Sequence, residues 1–124
     1  MTFSSKFLLS RRSFAAMATT SKTPVEDLIR SKITEELRPT TLEIFNDSAA
    51  HSHHQAMAGI SSRETHFRLN IVSHVFQSKM QPARHRMVYA ILREELDRPG
   101  GIHALQLRTK TPEEDEKQQS REQG

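Results

Sequence analysis

Cysteine is absent from the 124 residues of this chain. The protein can therefore form no disulfide and offers no thiolate as nucleophile or metal ligand, which leaves histidine as its only soft ligand of note. No apolar run approaches the roughly 20 residues that span a bilayer, so no transmembrane helix is expected. Also missing are a Gly-x-Ser-x-Gly elbow, a P-loop and a His-Glu-x-x-His pair. Without any recognised catalytic constellation, the chain reads as a binding protein and not as an enzyme.

Acidic residues are missing from the first 25 positions, where Lys6, Arg11, Arg12 and Lys22 carry the charge and Glu26 is the first acid. Residues 1–20 are also rich in Ser, Thr and Ala, with Phe3, Phe7, Leu8, Leu9 and Phe14 interleaved. That is the profile of a mitochondrial transit peptide, with a disordered tail as the alternative reading, and the expected location is the mitochondrial matrix. A secretory signal would need a longer apolar core than Phe7-Leu8-Leu9. The formal net charge of +3 first suggests nucleic acid or an anionic surface as partner. Removal of the first 20 residues would take away Lys6, Arg11 and Arg12 and leave a neutral remainder.

A chain of this length, 27% charged and 35% hydrophobic, has room for one small domain, expected over residues 23–112. Thr23-Pro24-Val25-Glu26 reads as a helix start, with Thr23 as N-cap and Glu26 completing a capping box. Val25, Leu28, Ile29, Ile33 and Leu37 follow the helical period up to Pro39. Thr40 to Phe45 is β-prone, and residues 49–63 form a long loop that contains His51, His53 and His54. From Thr65 to Val72, Phe67, Leu69 and Ile71 alternate with His66, Arg68 and Asn70, the pattern of a half-buried strand in which His66 faces away from the core. Val75 and Phe76 are expected to plug the core, and Ser78 with Gln81 to cap the next turn. Residues 113–124, almost wholly charged or amide, are expected to be a disordered charged tail.

Between Arg84 and Lys110 the apolar period changes. Met87, Val88, Ile91, Leu92 and Leu96 form a helical stripe, Pro99-Gly100-Gly101 breaks it, and Leu105 and Leu107 continue at period two. The predicted fold is thus α+β in two layers, α-β-β-α-α-β, with a three-stranded sheet and helices packed on one face. His103 shares the parity of the leucines, so it reads equally as a packed core histidine or as a ligand. The loop histidines read as a solvated polar loop or as ligands that need a neutral imidazole. Arg84, His85 and Arg86 read as a solvated or partner-facing edge.

These segments resemble the BolA-like family. The resemblance rests on Arg84-His85-Arg86-Met87-Val88-Tyr89, Glu94-Glu95-Leu96, Ile102-His103-Ala104-Leu105, Thr109 to Pro112, and Glu64-Thr65-His66-Phe67 upstream. It implies the predicted element order, similar to a KH domain of the second class. The Gly-x-x-Gly loop with which a KH domain clamps nucleic acid is absent. The resemblance also implies a monothiol glutaredoxin as partner and a 2Fe-2S cluster shared with it and with glutathione. The metal-side residues it implies are His103 and one loop histidine: His51 first, then His54, then His53. Iron-sulfur client or assembly proteins follow as further partners. Two departures are a longer loop and an extra glycine before Ile102. The rival reading is a nucleic-acid-binding regulator that uses Arg84, Arg86 and Arg93 on phosphates.

Overall fold

Alternation is strictest in the strand His66–Val72, which is the middle of the sheet, paired along both of its edges. The computed structural model describes residues 21–48 and 64–123. The expected leader and the loop histidines lie outside the described residues. The elements are α1 (Pro24–Leu37), β1 (Thr41–Asn46), β2 (His66–Val72), a 3-10 turn (His74–Phe76), α2 (Gln81–Ile91), α3 (Arg93–Asp97), β3 (Ala104–Lys110) and α4 (Pro112–Gln123). The sheet order is β1-β2-β3, with β1 antiparallel and β3 parallel to β2. The two-layer α+β order is as predicted, with one helix added at the end.

Phe67, Leu69 and Ile71 of β2 pack with Ile29, Ile33 and Leu37 of α1 and with Val88 and Leu92 at α2, while Leu42, Ile44, Leu105 and Leu107 close the sides. Alternation sends Glu43, Arg68, Gln106 and Arg108 to the uncovered face. Phe76 plugs the core as expected, but Val75 is exposed. The capped turn is earlier than expected: the Ser73 hydroxyl accepts from Val75 N (3.1 Å) and donates to the Leu37 carbonyl (2.6 Å). Ser78 instead takes a positive φ of 64°, and the N-cap of α2 is Met80, which supplies no side-chain cap.

The Glu-Glu-Leu end of the helical stripe is held through a charge. Glu95 is 1% exposed, and its carboxylate accepts from Lys32 Nζ at 2.8 and 3.0 Å, which ties α3 to α1. Those bonds, with a third to Glu94, raise the Lys32 pKa. Gly101 sits so close to this turn that a Cβ would lie 2.2 Å from the Glu95 carbonyl oxygen. Gly100 supplies the positive φ, 78°.

Over residues 113–123 the expected disordered tail is instead helical, since Pro112–Gln123 forms α4. The reason lies at its start. Thr111 N donates to Glu114 Oε1 (3.0 Å) and Glu114 N donates to Thr111 Oγ1 (3.2 Å), a reciprocal capping box. Three acids, Glu113, Glu114 and Asp115, also occupy the first turn, where the helix dipole favours negative charge.

Candidate functional site

At one edge of the sheet, β1 ends while β2 and β3 begin. His66 opens β2, opposite Ala104 in the parallel register, and His103 comes just before that partner. The Thr65 carbonyl accepts from both His103 N (2.7 Å) and Ala104 N (3.1 Å). Two successive N–H groups on one acceptor interrupt the alternation of the ladder, so the parity of Leu105 and Leu107 does not extend back to His103. The packed-core reading of His103 is therefore overturned. Its side chain is exposed, and buried Ile102 anchors the chain instead.

His66 is half-buried, and its ring lies edge-on to that of His103, with centroids 6.4 Å apart and planes at 62°. Sequence reading placed it as an exposed sheet residue and missed this neighbour. The usable signal was that each histidine stands at the start of a strand, but only the parallel pairing brings the two starts together. Thr65 Oγ1 and His66 Nδ1 are hydrogen-bonded at 2.9 Å.

The same edge carries the neck of the long loop. Ser48 is buried, and its hydroxyl accepts from Thr65 N (2.9 Å) and His66 N (3.0 Å), while Asn46 Oδ1 accepts from Ser48 N (2.9 Å). On the returning side, the two carboxylate oxygens of Glu64 accept from Val25 N and Glu26 N, each at 3.0 Å. The loop bearing His51, His53 and His54 thus leaves and re-enters the fold beside His66 and His103. Its histidines lie outside the described residues. Among the described residues no three His, Asp or Glu side chains converge into a metal cage.

The arginines tell a different story from the one their sequence suggested. Arg84 is 5% exposed, not a solvated edge. Its guanidinium donates to the Lys79 carbonyl (2.8 Å), the Thr109 carbonyl (3.1 Å) and both Glu114 oxygens (2.8 and 3.0 Å). It also lies over the Phe76 ring at 5.7 Å. Every nitrogen of the fork is engaged inside the protein, and the Arg84 guanidinium in turn holds the Glu114 carboxyl at a pKa of about 2. That removes Arg84 from the phosphate-binding set and leaves Arg86 and Arg93 exposed on α2 and α3. No helix among the described residues is long and apolar enough to cross a membrane.

Comparison with known proteins agrees with this geometry. The family model "BolA-like protein" matches residues 33–114. UV-induced protein uvi31 of Schizosaccharomyces pombe is 47% identical over 91 residues, covering 72% of this chain and 87% of that protein. SufE-like protein 1, chloroplastic/mitochondrial, of Arabidopsis thaliana is 44% identical over 88 residues, which cover 69% of this chain but 23% of that much longer protein. The solved structure of BolA1 from Arabidopsis thaliana superposes with a TM-score of 0.65 at 41% identity, covering 78% of this chain and 98% of that one. With a matching family model, a close relative aligned over most of its length and a shared fold, this chain belongs to the BolA-like family.

Proposed function

We propose that this protein is an iron-sulfur adaptor: it pairs with a monothiol glutaredoxin and adds histidine ligands to the partner's 2Fe-2S cluster. The observation that carries the reading is the placement of His103, exposed at the sheet edge and held there through its backbone to Thr65. An imidazole in that position is open to a partner's surface, and a chain without cysteine needs thiolates from elsewhere. The neck of the long loop is fixed beside His103, which supports a loop histidine as the second ligand; among the three, His51 is the first choice, ahead of His54 and His53, as the family resemblance implies. A bound cluster would supply one-electron chemistry and a transferable iron-sulfur unit. The chain's own part is to present an imidazole, add no thiolate of its own and offer a docking face; no step of catalysis is assigned to it.

Clients or assembly proteins of the iron-sulfur pathway would receive the cluster. The mitochondrial matrix is the proposed location, supported by the basic, acid-free first 25 residues and by a relative whose name includes the mitochondrion. The mature amino terminus should then lie between Ser13 and Lys22, as mass spectrometry of organelle-purified protein would show.

The central test mixes purified protein with cluster-loaded glutaredoxin and follows visible absorption and circular dichroism. Formation of a complex with an altered cluster spectrum is expected. His103→Ala should abolish the alteration while shifting the stability of the free protein by no more than about 0.5 kcal/mol, as for an exposed side chain. Among the loop variants, His51→Ala should perturb the spectrum most and His53→Ala least. An unchanged spectrum and no complex with the wild-type chain would overturn the proposal.

A further inference from the structure

We infer that His66 is a positioning residue that sets the orientation of the His103 imidazole before a partner arrives. The inference rests on the reading of His103 as a ligand. An exposed histidine ordinarily samples several rotamers, and a partner that needs one of them must order it on binding. Here the ring of His103 has a wall. Its centroid lies 6.4 Å from that of His66 at 62°, within the range of edge-to-face aromatic pairs.

The wall is itself fixed, and both rings are referred to one residue. Thr65 bonds the Nδ1 of His66 through its hydroxyl, and it accepts the N–H of His103 through its carbonyl. Behind Thr65 stands buried Ser48, whose hydroxyl receives the N–H groups of Thr65 and His66 and approaches Thr65 Oγ1 at 3.4 Å. From Ser48 outward, each contact therefore constrains the next, and the last constrained group is the imidazole of His103. Residues that orient a ligand from behind commonly contribute a factor of about 10 to 100 in metal affinity. Because the contact between the rings is packing rather than a hydrogen bond, the low end applies.

The test compares His66→Ala, His66→Phe and Thr65→Val with His103→Ala, all in the full chain. Each is titrated against cluster-loaded glutaredoxin, with visible circular dichroism as readout. His66→Ala should weaken the complex about 10-fold. His66→Phe keeps an aromatic wall but cannot ligate, and it should restore near-wild-type affinity and spectrum. Thr65→Val, which removes the hydroxyl bonded to the His66 ring, should fall between them. In the free protein, the His103 Cε1–H order parameter should drop in His66→Ala and recover in His66→Phe, while far-ultraviolet circular dichroism reports that each variant is folded. Equal losses in His66→Ala and His66→Phe would overturn the inference and make His66 a ligand. Wild-type behaviour of His66→Ala would overturn it as well. If the complex with His103→Ala still shows the altered cluster spectrum of the wild type, the ligand reading fails first and the inference falls with it.

Discussion

Helices α1 and α4 begin on the same short text, Thr23-Pro24-Val25-Glu26 and Thr111-Pro112-Glu113-Glu114, yet their first turns are satisfied in opposite ways. In α4, Thr111 and Glu114 cap each other, and Arg84 grips the Glu114 carboxylate from the body of the protein. In α1 the capping box does not form. Glu26 turns outward to Arg30 (3.2 Å), the Thr23 hydroxyl donates to Asp27 (3.3 Å), and the exposed N–H groups of Val25 and Glu26 are taken by Glu64. A carboxylate from another segment accepts two N–H groups at once and places its charge at the positive end of the dipole. The difference follows from burial. α1 has Ile29, Ile33 and Leu37 in the core and can lend its start to tie down the loop neck, whereas α4 has no buried residue and is held by its own cap and by polar contacts from Arg84, Lys110 and Gln77.

The comparison can be broken in several places, most forcefully at Arg84. Arg84→Met takes the guanidinium from the Lys79 carbonyl and the Glu114 carboxylate, leaves the Thr109 carbonyl only its bond from Gln81, and should destabilise the protein by about 2 to 3 kcal/mol. Urea denaturation measures the loss, and hydrogen exchange should show the amides of α4 losing protection while those of α1 keep theirs. Equal loss in both helices would mean that α4 is part of the cooperative core. Glu64→Ala should cost about 1 to 2 kcal/mol, with faster exchange confined to Val25, Glu26 and the strand start at His66.

Thr111→Ala and Thr23→Ala sharpen the contrast between identical residues. Loss of the working cap should cost about 1 kcal/mol, and loss of the idle one a few tenths. The reverse order in chemical denaturation would show that sequence, not environment, decides which box closes. The smallest effect is with pH. Glu114 has a pKa lowered from 4.5 to about 2, so its contribution is complete above pH 4.5 and is lost as pH falls towards 2. Because this carboxylate is half-exposed, solvent screens much of that contribution. A modest decline of helical ellipticity over that window is expected in the wild type and absent from Glu114→Gln.

Much of the fold was legible from the sequence because its core elements are locally consistent. Phe67, Leu69 and Ile71 alternate without a break, the α1 stripe runs to Leu37, and Pro99-Gly100-Gly101 separates helix from strand. What failed to show were features made by contacts between distant segments. Arg84 looked solvent-facing because its partners Thr109 and Glu114 come 25 and 30 residues later. α4 was the exception, since the Thr-Pro-x-Glu rule applied at Thr23 applies equally at Thr111, and composition alone hid it. At the site, His103 was legible as a residue of interest but not as an exposed one. Period-two reasoning presumes an unbroken ladder, and the Thr65 carbonyl breaks it.

The parallel pairing of β3 with β2 has a consequence for how a molecule comes into being. Parallel neighbours cannot be joined by a tight hairpin, and here α2 and α3 intervene. A chain made from its amino terminus can pair β1 with β2 early, but His103 meets Thr65 and His66 only after β3 has been made and has docked. The histidine pair is thus among the last things a growing chain acquires. A stalled or shortened product ending before Ala104 would have two of the three strands and no paired imidazoles, so the site would exist only in finished molecules.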